Sequence, residues 1–258
     1  MASESKTSGI IKSDQTLFSI IELLQGNRTT GVTELAEALD MSKSTIHKHL
    51  KTLNQSGYVL KKEGGYRLSF MFLTIGGSVR EQIPLCNHVH STIKNIIKNT
   101  DHIVSFTFRE DTQGVFVFIR NDDYGLHKIL PLGNRFYLHQ NASGKAILAT
   151  LDDQEINDFV KRVDLPAATS NTITSESKLW EEIENVREQG YATSNEERVE
   201  GAQSVAAAVK DHNSDNVGAI TIAGPADDMT QERIHTDYAE TLIKEANDLE
   251  LKMRFTDH

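Results

Sequence analysis

The sequence predicts an α+β protein in which a small helical module precedes a larger domain of strands and helices. Three observations carry that reading. Residues 33 to 68 contain two short helical patterns followed by a Gly-Gly hairpin. From His102 onward the apolar period shifts between that of a strand and that of a helix. The charge also divides unevenly: residues 10 to 69 carry +2, residues 1 to 9 are neutral, and the rest holds −12 of a total of −10. At 258 residues and 38% hydrophobic content, the chain can fill two cores.

Leu17, Ile20, Ile21 and Leu24 recur at i, i+3, i+4 and i+7, which predicts a supporting helix. Thr33 precedes Leu35, Ala36 and Leu39, so a short helix with a threonine N-cap is expected there. Ser42 is the natural N-cap of a second helix running from Lys43 to about Gln55, and Gly57 just beyond suits its C-terminus. Within that helix Ile46, Leu50 and Leu53 form one apolar stripe. Ser44, Lys48 and Lys51 lie opposite, flanked by Thr45 and His47, while His49 falls near the inner stripe and is expected to pack. Tyr58 to Leu60 and Tyr66 to Leu68 read as paired strands. Gly64 and Gly65 between them permit the positive φ angles of a tight turn.

From Met41 to Leu68 there are six Lys or Arg and one acid, Glu63. A lysine-rich helix alone is usually just a solvated face. Support helix, short helix, tight turn, basic helix and basic hairpin in that order describe a winged helix-turn-helix over residues 10–69, with the helix pair at 32–51. Ser42, Lys43, Ser44, Thr45, His47, Lys48 and Lys51 are expected at the DNA, with Lys61, Lys62 and Arg67 on phosphate. Two such modules in a dimer would read a pseudo-palindromic site on double-stranded DNA. The acidic remainder is repelled by DNA, which restricts contact to this module.

Residues 1–9 are polar, lack the apolar centre of a signal peptide and are expected to be a disordered leader. No apolar run approaches the roughly 20 residues of a membrane helix, so no membrane partner is expected. Cys86 is the only cysteine, which fits a reducing cytoplasm.

Residues 70–253 are expected to form a linker helix and a second domain. Ile83, Val89, Ile93, Ile96 and Ile97 predict a helix from about Val79 to Lys98, after a hinge at Gly76-Gly77 and with Pro84 early in it. Residues 102–110 and 114–121 are β-rich around a hairpin at Asp111–Gly114, and residues 126–132 could add a strand. Helices follow at Ala142–Leu151, Asp153–Val163 and Glu176–Gln189. Residues 203–211 and 216–224 are strands joined by a turn at Asn213–Asn216, and a last helix spans about Thr230 to Lys252. One antiparallel or mixed sheet flanked by helices accommodates them.

Three segments together resemble the IclR family of transcriptional regulators: TELAEALDMSKSTIHKHLKTL, GNRFYLHQNASGKAILA, and REQGYATSNEERVEGAQSVAAAV followed by GAITIAGP. The likeness covers about residues 10 to 253, and LPAATSNTITS looks like the branch found in halophilic archaea. The resemblance implies a GAF-like effector domain, a homodimer or tetramer, and a small organic effector, often an organic acid or sugar-derived metabolite. It also implies ligand contacts from Ala142, Ser143 and Gly144 at a helix start, and from Asn195, Ser204, Thr221 and Ala223. Free amides at a helix N-terminus would favour an anionic group. Ser204 and Thr221 could instead be core hydroxyls bonded to backbone. The chain departs from the family's pattern at Ala208, Tyr137, Ser204 and Ala223, where proline, proline, cysteine and serine are frequent, so the ligand does not transfer.

Enzymatic readings fare worse. Ser143-Gly144-Lys145 lacks the glycine five residues before Gly144 and the Ser or Thr after Lys145 that a phosphate loop needs. Glu181-Glu182 and Glu196-Glu197 are adjacent acids of the kind that usually face solvent, with Glu196 a polar brace. Cys86, His88 and His90 lack further evident metal ligands. Neither catalysis nor a cofactor or metal is expected. The expected function is ligand-responsive control of a catabolic operon, with sugar or sugar-acid breakdown as first choice. An architectural DNA binder whose distal domain only oligomerises is the alternative.

Overall fold

A computed structural model describes residues 9–26, 29–120, 131–212 and 214–256. They form two compact units, divided after Val79. Most of the expected leader, residues 126–130 of the possible strand and Asn213 of the expected turn lie outside the described residues.

The first unit contains α1 (Lys12–Gln25), α2 (Val32–Ala38), α3 (Lys43–Gln55), β1 (Val59–Lys62) and β2 (Gly65–Leu68). Ile20, Leu24, Leu35, Ile46, Leu50, Leu53, Val59 and Tyr66 make one core, so the predicted stripes of α1 and α3 meet. Thr33 is not the cap of α2. The helix starts two residues earlier at Gly31, whose N–H donates to Glu34 Oε2 at 2.9 Å. Asp40 takes a left-handed φ of 50° in the turn, where a short polar side chain tolerates it. Beyond α3, Gly57 bonds back to Asn54 O and Tyr58 to Leu53 O, the paired bonds of a Schellman ending with Gly57 at φ 82°. Gly65 is demanded by space as well as by its turn: a Cβ there would lie 2.1 Å from Thr30 O.

The expected hinge and single helix are replaced by α4 (Met71–Glu81) and α5 (Pro84–Ile97). Gly76 and Gly77 sit inside α4, and Pro84 occupies the first turn of α5, where its missing N–H costs no helical hydrogen bond.

The second unit is a six-stranded antiparallel sheet in the order β5-β4-β3-β8-β7-β6. Its strands are β3 (Ile103–Glu110), β4 (Gln113–Arg120), β5 (Arg135–Tyr137), β6 (Ala192–Asn195), β7 (Ala202–Lys210) and β8 (Val217–Pro225). Alternation along β7 and β8 sends Val205, Ala207, Val209, Ile220 and Ile222 to one face. There they meet α5 and α10 (Ala239–Thr256), which follows a helical turn α9 (Gln231–Arg233) and a π-helical stretch Ile234–Tyr238. Ala206, Val217 and Ala219 face the other way. They pack with α6 (Ala142–Ala149), α7 (Asp153–Val163) and α8 (Glu176–Gln189). The edge strands β5 and β6, three and four residues long, had no counterpart in the sequence expectation.

Candidate functional site

In the first unit, Ser42 caps α3 by accepting from Thr45 N at 3.1 Å, and its Oγ also lies 2.8 Å from Thr45 Oγ1. Capping thus fixes where the helix begins and aims Ser44, His47, Lys48 and Lys51, all exposed, along its outer side. Lys43 is exposed beside them, and Thr45 is half-buried with its hydroxyl tied to the cap. His49 is half-buried, on the inner side as expected. On the wing Lys61 and Lys62 are exposed, whereas Arg67 is half-buried across from Leu60. Between Met41 and Leu68 the only acid is Glu63, at the hairpin tip. The arrangement offers amine and imidazole donors from the helix to base edges, and ammonium groups from the wing to phosphate.

In the second unit, the sheet register gathers a polar patch on the face carrying α6. One row runs Ser194, Ser204, Ala223, Ile103 across four strands, and the next runs Ala206, Thr221, Ser105, Ile119. A cavity of about 70 Å³ lies over these rows, lined also by Phe116, Asn141, Ser143, Arg198 and Val199. One water needs roughly 10–15 Å³ on this scale, so there is room for a small organic molecule. Thr221 Oγ1 is buried with no hydrogen-bond partner, so it is not a core hydroxyl bonded to backbone. An unpartnered buried hydroxyl is costly unless something enters the cavity to bond it.

Ser143, Ser204, Thr221 and Ala223 are therefore brought together as expected. Asn195 is not. It is exposed and accepts from Gln203 Nε2 at 3.0 Å, and Ser194, one residue earlier, faces the cavity in its place. Neither Ala142 nor Gly144 lines the cavity. Ala142 is buried in the apolar core, and a Cβ on Gly144 would lie 2.0 Å from Leu138 O. The expected anion contact at the Gly144 amide also needs correction, because that N–H already donates to Asn141 Oδ1 at 2.9 Å. Asn141 Oδ1 also accepts from Ser143 Oγ at 2.9 Å.

Two charged groups escaped the sequence reading. Lys145 is 1% exposed and pairs with Glu182 at 2.8 Å and Glu197 at 2.7 Å, so these acids are braces of the fold rather than solvent-facing residues. Burial pushes the Glu197 carboxyl up despite the neighbouring Lys145 ammonium. Arg198 stacks over Phe136 at 4.4 Å and Phe116 at 5.6 Å, and burial pulls its pKa down to about 10. Its loop is held by Glu196, which takes φ 58° and accepts from Gly201 N at 2.6 Å, the brace expected of it. Only the irregular spacing of polar residues in 195–201 could have flagged Arg198. Cys86 is buried in α5, with its thiol pushed up to about 11 by burial, while His90 is exposed, so the two do not converge. Among the described residues no group of three or more His, Cys, Asp or Glu is placed to hold a metal.

A winged helix-turn-helix joined to a helix-flanked antiparallel sheet with a small polar cavity defines a ligand-binding class of transcription factor. Residues 78–251 match the bacterial transcriptional regulator IclR C-terminal family, and residues 13–59 match a winged helix-turn-helix DNA-binding family. The chain belongs to the IclR family of transcriptional regulators, a non-enzymatic family. It is 27% identical over 244 residues to the HTH-type transcriptional regulator KdgR of Escherichia coli, covering 94% of this chain and 92% of that one. The crystal structure of Thermotoga maritima IclR superposes with a TM-score of 0.82 at 29% identity, covering 94% of this chain and 99% of that one. An IclR homolog from Microbacterium hydrocarbonoxydans, complexed with 4-hydroxybenzoate, shares the fold with a TM-score of 0.77 at 15% identity, over 94% and 99% of the two chains. No helix among the described residues is long and apolar enough to cross a membrane.

Proposed function

We propose that this regulator controls a catabolic operon from the cytoplasm in response to a small organic anion held in the cavity, with sugar or sugar-acid breakdown the first candidate pathway. The observation that carries the reading is the patch of Ser105, Ser194, Ser204 and Thr221, set in rows whose other members are Ala206, Ala223, Ile103 and Ile119. Hydroxyls gathered on a core face, one of them unpartnered, suit a hydroxylated ligand. The 4-hydroxybenzoate bound by the Microbacterium homolog is itself a hydroxylated acid.

The protein acts as a homodimer or a tetramer. Phe70, Leu73 and Val79 on and beside α4 are 75%, 72% and 51% exposed, and no residue of that helix is buried within one chain. Such a face calls for a second copy. A dimer places two α3 helices on a pseudo-palindromic operator, and the effector acts by binding one arrangement of the dimer better than another.

The test is selection of DNA from a random library by the full chain, followed by a thermal-shift screen of sugar acids and hydroxylated aromatic acids. A two-fold symmetric consensus and stabilisation by at least one acid are expected. Binding without symmetry or sequence preference, and no response to any acid, would favour an architectural role.

A further inference from the structure

We infer that Arg198 is the charge anchor of the effector cavity, receiving the carboxylate of a small hydroxycarboxylic acid on its unoccupied Nη1. The inference rests on the reading of the cavity as an effector site and assigns the group that selects the ligand's charge.

Arg198 lines the cavity, and its guanidinium is fixed on three sides. Phe136 and Phe116 stack against its plane, and Nη2 donates to Asn134 Oδ1 at 3.1 Å and Arg135 O at 3.4 Å. Nη1 is shut off from solvent with no hydrogen-bond partner. No carboxylate forms an ion pair with this guanidinium among the described residues. Of its acidic neighbours in sequence, Glu197 is committed to Lys145 and Glu196 to the amide of Gly201, while the exposed Glu200 forms no ion pair with it among the described residues.

Arg198 is half-buried, and its Nη1, out of contact with solvent and without an acceptor or counter-ion, is unfavourably placed until one is supplied. A planar guanidinium with one nitrogen unpaired is suited to a carboxylate, which supplies both the missing charge and the missing acceptor. At the competing anion site, the start of α6, the Gly144 amide is already taken by the Asn141 side chain. Thr221 Oγ1, also unpartnered and in the same cavity, supplies the place for a hydroxyl on the ligand.

The test pairs each acid with its amide, which keeps the shape and the hydroxyl but removes the charge. The probes are lactate and lactamide, and 4-hydroxybenzoate and 4-hydroxybenzamide, titrated calorimetrically into the full-length protein. At least one acid should bind the wild type about ten- to a hundredfold more tightly than its amide, the difference expected of a charge-assisted hydrogen bond. Arg198→Gln should abolish that preference. Arg198→Lys, which keeps the charge and most of the stacking stem, should retain part of it and guards against a merely misfolded glutamine variant.

If acid and amide bind the wild type equally, or Arg198→Gln binds the acid as well as the wild type does, the anchor assignment falls while the effector reading stands. If no acid and no amide binds the wild type, the effector reading fails and the inference fails with it.

Discussion

At the scale of single residues, the two units use their cations differently. Lys48 is exposed on the outer side of α3, and Lys62 is exposed on the wing. Lys48→Ala should weaken binding to the selected operator while leaving random DNA less affected. Lys62→Ala should weaken all sequences alike and lower the salt slope by about one phosphate contact. Equal, wild-type binding by both across a salt titration would remove the assignment. In the second unit, Asn195→Ala should leave effector affinity unchanged because the side chain is turned away, whereas Ser194→Val should reduce it. Loss of affinity in the first variant alone would show that the cavity face is wrongly assigned. His139 adds a pH dependence. It is fully buried with Nε2 3.0 Å from Pro166 O, and burial lowers its pKa, partly opposed by that hydrogen bond. The unfolded chain therefore binds a proton that the folded domain resists. Stability of the second unit should be full above about pH 6.5 and fall as the pH drops from there toward the lowered folded pKa. Chemical denaturation between pH 7.5 and 5 checks this, and His139→Gln should flatten the slope.

At the scale of elements, legibility followed periodicity and caps. α1, α3, α7 and α8 were readable because each carries an apolar stripe, and Ser42, Asp152 and Ser175 cap the last three. α4 was not, because its apolar residues face no core in this chain and its two glycines argued for a hinge. The short edge strands gave too few residues for alternation to register. The resemblance pointed to Asn195, and so short a strand offered no alternation to set Ser194 in its place: a shift of one residue along a strand exchanges its two faces. Ser204, Thr221 and Ala223, implied by the resemblance, do lie along the cavity, where the alternation of β7 and β8 turns them to one face. Arg198 lies in a loop with no period at all, so only the folded structure brings it to the cavity. The glycine of the 143–145 segment, read as part of a ligand site, proves to be a packing requirement. Gly144→Ala should cost the second unit about 1–3 kcal/mol, since Leu138 must move aside, measured as a lowered unfolding midpoint. Ile46→Asp places a carboxylate at a fully buried position in the first unit. It should melt that module, on the order of several kcal/mol, while the second unit, with its own core, keeps its transition. Retained operator affinity in that variant would show the phase of α3 to be wrong.

At the scale of the whole molecule, the chain divides into two compact units after Val79, later than the boundary expected after residue 69, and the charge of +2 in the first against −12 in the second favours DNA contact by the first. The exposed apolar residues at α4 belong to this scale. Leu73→Glu should shift the sedimentation-equilibrium mass toward one chain and weaken binding to a two-fold operator, with single-site affinity less affected. A small acid bound in the second unit should change what the first unit does at DNA. The most direct measurement is an operator titration by fluorescence anisotropy at fixed salt, with and without a saturating acid from the screen. The acid should change operator affinity by about 5- to 150-fold, the usual range of allosteric coupling, and operator DNA should change the acid's affinity by the same factor. An acid that fills the cavity yet leaves operator affinity unchanged would contradict that coupling.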